Sequence, residues 1–237
     1  MPPTDIFIQG KLEMSSVPLP EAVQPLLWGD LTVNRILVAA AVLLSVAGLR
    51  EMCRLLPELA YAFTRPRACV SLEYNTSIAR IRNMAALVSV LPFCLIADRF
   101  GLFRPSFWEL IPAEWSAVAT VGVMFSYLLL RLLCGAMVHL PRIDASTDAA
   151  VRKGPWSHFI LMTILMLATV GLLGVCGIPD SVLRPVLYCE MLLSYLLSLL
   201  RTGQILAGSF SVLTTILYLC ALEFLPTAAM AACAVFL

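Results

Sequence analysis

Six long runs of apolar residues, separated by short polar or arginine-rich segments, dominate the pattern of this chain. They occupy residues 31–49, 82–97, 115–133, 156–175, 182–200 and 205 onward. A helix needs about 20 apolar residues to cross a hydrocarbon layer of about 30 Å, and the runs are too continuous for barrel strands, which alternate over about 10 residues. The pattern predicts an all-α fold, a polytopic membrane helical bundle with about six transmembrane helices.

The second run is the shortest, and it predicts a helix that starts before residue 82. The preceding residues 71–83, SLEYNTSIARIRN, could supply the missing turns. The last run ends in TAAMAACAVFL with no basic residue to anchor it.

Composition agrees with a membrane protein, since 60% of the 237 residues are hydrophobic, only 13% are charged and the mean hydropathy is +0.91. Residues 1–30 lack the basic and apolar regions of a cleavable signal peptide. We therefore expect an extracytoplasmic N-terminal tail over 1–30, followed by a transmembrane helical domain over 31–237.

Arginines concentrate in the connections after the first and third runs, which places those connections in the cytoplasm and the N-terminus outside it. The basic loop at 50–82 is expected to hold a surface helix over 55–63 and to touch anionic lipid or a partner protein. The candidate contacts are Arg50, Arg54, Arg65, Arg67, Arg80 and Arg82.

Common catalytic signatures such as a P-loop, HExxH or GxSxG are absent from the sequence, so no catalytic residue and no cofactor is predicted. The two histidines, His139 and His158, flank Asp144 and Asp148. Their spacing fits no metal-ligand pattern, so no metal is predicted and interfacial histidines are the favoured interpretation. No basic face stands out to bind nucleic acid.

Polar residues in the last two spans predict a buried cluster. Glu190, Ser194 and Ser198 share one helical face with Arg201, and Glu223 is the only charged residue beyond Arg201. A hairpin turn centred near residues 205–207 would place Glu190 and Glu223 at one depth.

Pro226 lacks an amide hydrogen and would leave the carbonyl of Leu222 as a free acceptor near Glu223. We expect at least one of the two acids to hold a proton unless a counter-charge reaches it, the candidates being Arg184, Arg99 and Arg104. Two simpler interpretations stay open: the polar residues only join the last two helices, or Glu223 reaches the outer interface.

The C-terminal stretch ILYLCALEFLP and the six-span layout resemble a family of uncharacterised bacterial multi-pass inner-membrane proteins, defined by a domain of unknown function. The matching positions are Leu217–Cys220, Leu222–Glu223 and Leu225–Pro226, an LYLCxLExLP motif. The resemblance implies a bacterial cytoplasmic membrane and brings no activity with it.

Three functions remain open, and an intramembrane enzyme is the least favoured of them. The leading hypothesis is a non-enzymatic scaffold or accessory subunit of an envelope complex, in contact with the lipid bilayer and with another membrane protein. The second is a small transporter or lipid-handling protein that uses the buried carboxylates of Glu190 and Glu223.

Overall fold

The computed structural model describes residues 28–64, 72, 74–137, 145–208 and 210–236, and every regular element in these residues is helical. The long helices are α1 Thr32–Thr64, α2 Thr76–Arg99, α3 Ser116–Met137, α4 Ala145–Val175, α5 Asp180–Ala207, α6 Val212–Leu219 and α7 Leu225–Phe236. A π-helical turn, Cys220–Phe224, joins α6 to α7. Short 3₁₀ turns lie at Trp28–Asp30, Ser106–Leu110 and Ala113–Trp115.

The prediction of an all-α bundle with six membrane spans is confirmed. The helices long and apolar enough to cross a membrane are Thr32–Tyr61, Thr76–Arg99, Ala113–Met137, Thr147–Val175, Asp180–Ala207 and Val212–Cys233. The early start of the second span is confirmed too, because Asn75 caps α2 by accepting the Ile78 amide at 3.4 Å.

The last hairpin turn lies later in the chain than the sequence indicated. Helix α5 continues to Ala207 and α6 begins at Val212, so the connection is 208–211 rather than 205–207. Leu206 is fully buried against Val151, Tyr218 and Leu222. This apolar packing keeps the residues before Gly208 helical.

Helix α2 forms the centre of the bundle and packs against α1, α3 and α4. Its second half is almost wholly buried, and Phe93 meets Phe159 of α4 edge to face at 5.3 Å. The outward faces keep large apolar side chains exposed, among them Leu43, Leu132 and Leu217. These faces suit contact with lipid tails, as expected for a membrane bundle.

The separate surface helix predicted over 55–63 is instead the last part of α1, which runs unbroken past Pro57 to Thr64. Leu55 and Leu59 are 2% and 1% exposed and pack against Ala86 and Ile160. Leu55 and Leu59 therefore join α1 to α2 and α4, whereas Leu56 and Tyr61 stay exposed.

One end of the bundle carries the α2–α3 and α4–α5 connections, and we call it the Asp98 end. Tyr188 of α5 donates to the Leu102 carbonyl at 2.9 Å, and Trp28 donates to Asp98 at 2.7 Å. The α5–α6 turn lies at the opposite end.

Candidate functional site: a buried arginine–glutamate pair

Glu223 lies in the π-helical turn and forms an ion pair with Arg131 of α3. Arg131 Nη2 is 2.5 Å from Glu223 Oε1, and the two side chains are only 20% and 7% exposed. Both residues lie inside membrane spans. A charge-assisted hydrogen bond of this kind is stronger than a neutral one, and removing either partner would leave a charge in the apolar interior.

The main-chain carbonyl of Glu223 also accepts hydrogen bonds. Thr227 Oγ1 donates to the Glu223 carbonyl at 2.5 Å, and Tyr195 Oη of α5 donates to the same carbonyl at 3.4 Å. The two hydroxyl oxygens are 3.0 Å apart. The site therefore ties three helical segments together: α3, α5 and the last span.

The π turn has a local cause in the sequence. The Leu225 amide bonds to the Cys220 carbonyl five residues back, and the next residue, Pro226, has no amide hydrogen to donate. Pro226 is buried, as is Glu223. A π turn widens the helix by one residue, and such turns are frequent at functional sites. Side-chain hydroxyls reach the carbonyl of Glu223, whereas the sequence had indicated the carbonyl of Leu222.

The counter-charge was predicted from the wrong set of arginines. Arg184 donates to the Gly101 carbonyl at 2.7 Å, Arg99 lies over the Phe100 ring, and Arg104 packs on Gly101, all at the Asp98 end. The counter-charge is instead Arg131 of α3. It lies six residues before the end of α3, and the signal that could have identified it is its position within the apolar run 115–133.

Glu190 engages α4 rather than the last span. Thr169 Oγ1 donates to Glu190 Oε1 at 2.5 Å, and Glu190 Oε2 is buried with no hydrogen-bond partner among the described residues. The rest of the predicted stripe lies on the same side: Ser194 contacts the His158 carbonyl at 3.5 Å and Ser198 is 7% exposed. The stripe faces inward, against α4.

Within the described residues, no hydrogen bond joins Glu190 to Glu223. Tyr195, which contacts Glu223, lies five positions after Glu190 and so about 140° away around α5. With the turn at 208–211, Glu190 precedes its centre by about 20 residues and Glu223 follows it by about 14, a difference of roughly 9 Å in depth. The expected single layer of two acids is therefore replaced by two separate contacts.

A third buried acid, Asp98, was not singled out from the sequence. It is 2% exposed and accepts hydrogen bonds from Trp28 Nε1 at 2.7 Å, from Thr120 Oγ1 at 3.2 Å and from Ser116 Oγ. Trp108 Nε1 supports Ser116 at 3.2 Å. The cluster joins the segment before α1 to the end of α2 and the start of α3. Its sequence signal is an acid that follows an apolar run directly.

Of the predicted lipid or partner contacts, Arg50, Arg54 and Arg80 are exposed. Arg82 is 1% exposed and bonds to Asn83 at 3.0 Å, so it belongs to the bundle interior. Arg65 and Arg67 lie outside the described residues.

The residues weighed for a metal site are not assembled into one in the described part of the chain. His158 is 5% exposed and contacts the Gly154 carbonyl at 3.2 Å, while Asp148 pairs with Arg152 at 2.9 Å. His139 and Asp144 lie outside the described residues. No group of three His, Cys, Asp or Glu that could hold a metal occurs among the residues with described positions.

Comparisons with protein-family models, with curated proteins and with solved structures give no match to this chain.

Proposed function

We propose that this protein is a non-enzymatic scaffold or accessory subunit of an envelope complex in a bacterial inner membrane. The observation that supports this role best is that two deeply buried carboxylates are bound by other side chains of the protein. Glu223 is neutralised by Arg131, and Asp98 is held by three neutral donors. Carboxylates that are bound in this way hold helices together and are not available to bind a substrate.

Two exposed arginines in the C-terminal half of α1 are the candidate partner contact. Arg50 and Arg54 lie 14 and 10 residues before the end of this helix at Thr64. Arg54 has only a weak exposed contact with Glu51, at 3.9 Å, which contributes little to stability. Both guanidinium groups can therefore bind an acidic surface without loss to the fold.

Affinity purification of the full chain in mild detergent tests this role. We expect a partner at fixed stoichiometry that is lost in an Arg50→Gln/Arg54→Gln variant and retained in Arg35→Gln, since Arg35 lies at the opposite end of α1. A chain that purifies alone with a bound solute would contradict the scaffold proposal.

A small transporter is the second candidate, and the π turn at Glu223 favours it. Ionisable residues inside a membrane often mark proton or substrate paths. Glu190 Oε2, which has no hydrogen-bond partner in the described part of the chain, is a further buried acceptor. Proteoliposomes with an internal pH-sensitive dye test this candidate. A carrier predicts a proton flux that Glu223→Gln abolishes, whereas a scaffold predicts no flux in either protein.

We also propose that the N-terminus lies outside the cytoplasm, on the strength of the arginine distribution. Reporter fusions at Phe107, in the α2–α3 connection, and at Gly208, in the α5–α6 turn, test this orientation. The first should report an extracytoplasmic position and the second a cytoplasmic one. The reverse result would invert the topology.

A further inference from the structure

Three arginines meet the turn that follows α2, at the Asp98 end. Gly101 adopts φ +57, and a Cβ placed there would lie 3.2 Å from Arg104 Cδ, so Arg104 packs directly over this glycine. Arg184 of α5 donates to the Gly101 carbonyl at 2.7 Å. Arg99 lies over the Phe100 ring, with Cζ 5.5 Å from the centroid.

Neighbouring contacts fix Arg184 in place. Its Cζ lies 5.9 Å from the centre of the Tyr188 ring, and Tyr188 Oη donates to the Leu102 carbonyl at 2.9 Å. Helix α5 and the turn are therefore tied together by two hydrogen bonds. The Arg184 guanidinium has five N–H donors, so most of them remain available for a ligand.

We call Arg99, Arg104 and Arg184 the arginine cluster, and its members have no direct ion-pair partner in the described part of the chain. None of the three forms an ion pair with a described carboxylate, although Glu109, Glu114 and Asp180 are exposed at the same end. In contrast, Arg35 at this end pairs with Asp30 at 2.8 Å.

The position of the cluster along the bundle matches the headgroup layer. Arg99 is the last residue of α2, and Arg184 lies four residues after the start of α5. Trp115, at the start of the third span, is 55% exposed, and aromatic residues of this kind mark the membrane interface. A planar guanidinium at this level matches phosphate in shape and charge.

We propose that the arginine cluster is a binding site for the phosphate group of an anionic membrane lipid. Arg184 is the hydrogen-bonded donor, and Arg99 and Arg104 supply further positive charge on either side of the turn. The lipid is favoured over a soluble phosphate because the cluster lies where spanning helices end. The proposal does not depend on the scaffold role, since it concerns the lipid around the bundle.

Native mass spectrometry of the full chain in an uncharged detergent tests the proposal, with phosphatidylglycerol and phosphatidylcholine as probes. The test variant is Arg99→Gln/Arg104→Gln, because neither side chain hydrogen-bonds to another described residue and the fold should persist. The control is Arg35→Gln/Lys153→Gln, which removes the same charge from two positions that lie outside the arginine cluster and outside the candidate lipid contacts of residues 50–82.

We expect the affinity for phosphatidylglycerol to fall at least tenfold in the test variant, since one arginine near a headgroup contributes about fivefold, and to change less than twofold in the control. Equal losses in both variants, or no loss in the test variant, would overturn the proposal. Binding of inorganic phosphate with the same variant dependence, but with no preference for phosphatidylglycerol over phosphatidylcholine, would assign the site to a soluble anion and overturn the lipid assignment.

Discussion

The two buried acids Asp98 and Glu223 are stabilised in different ways. Asp98 lies at the last turn of α2 and is held by three neutral donors, without an ion-pair partner in the described part of the chain. Glu223 lies halfway along the last span and has an arginine partner at 2.5 Å.

The difference follows from depth in the membrane. Near a helix end, indole and hydroxyl groups and the interface together can solvate a carboxylate. In mid-span no water is available, and an uncompensated charge is costly, so a counter-charge is needed. The comparison teaches that Asp98 should tolerate loss of charge better than Glu223 tolerates loss of its partner.

Removal of the arginine should have the largest effect. Arg131→Gln leaves Glu223 buried without a counter-charge and should lower the free energy of unfolding by about 3–5 kcal/mol. Unfolding in mixed micelles with sodium dodecyl sulfate, followed by circular dichroism, measures this change. In the exposed control Arg54→Gln, the free energy of unfolding should stay within about 0.5 kcal/mol of the unmodified protein. A similar small change in Arg131→Gln would mean that the pair does not form.

Loss of the Asp98 charge should have an intermediate effect. In Asp98→Asn the amide oxygen can still accept a hydrogen bond from Ser116 or from Trp28, but the amide NH₂ then faces the other donor. The free energy of unfolding should therefore fall by about 1.5–3 kcal/mol. The same unfolding assay measures the loss, with exposed Glu109→Gln as the control at the same end. A loss larger than that of Arg131→Gln would reverse the comparison between the two acids.

Of the three changes, removal of the Tyr195 hydroxyl should lower the free energy of unfolding least. Tyr195→Phe keeps the ring that meets Phe224 at 6.4 Å and removes only the contacts to the Glu223 carbonyl and Thr227. Interhelical hydrogen bonds in membranes average about 0.6 kcal/mol, and a loss of this size is expected in the same assay. A loss larger than that of Arg131→Gln would show that the hydroxyl, rather than Arg131, dominates the site.

The fold was predictable because hydrophobic run length decides whether a segment spans the membrane. The six runs became six spans, and even the early start of α2 followed from the shortness of its run. Helix ends were less predictable: α1 continues past residue 49 because Leu55 and Leu59 find a packed surface on α2 and α4. That surface is a tertiary feature that no local pattern contains.

The site was only partly predictable. The importance of Glu223 followed from its isolation in an apolar run, and Pro226 indicated a local disturbance of the helix. Its partner did not follow, because Arg131 and Glu223 are distant in sequence and pairing depends on how α3 packs against the last span. Glu190 was expected beside Glu223, but it bonds to Thr169 of α4. A turn displaced by a few residues changes the depth of a residue in the membrane and the helix that it faces.

A double-mutant cycle of Arg131 and Glu223 is the most direct test of the central claim, that these two residues form an ion pair inside the membrane-spanning bundle. The variants Arg131→Met, Glu223→Leu and their combination would be compared by free energy of unfolding in mixed micelles. We predict that the double variant is more stable than Arg131→Met alone, with a coupling energy of at least about 2 kcal/mol, because it leaves no unpaired charge. Additive losses, with a coupling energy near zero, would contradict the claim.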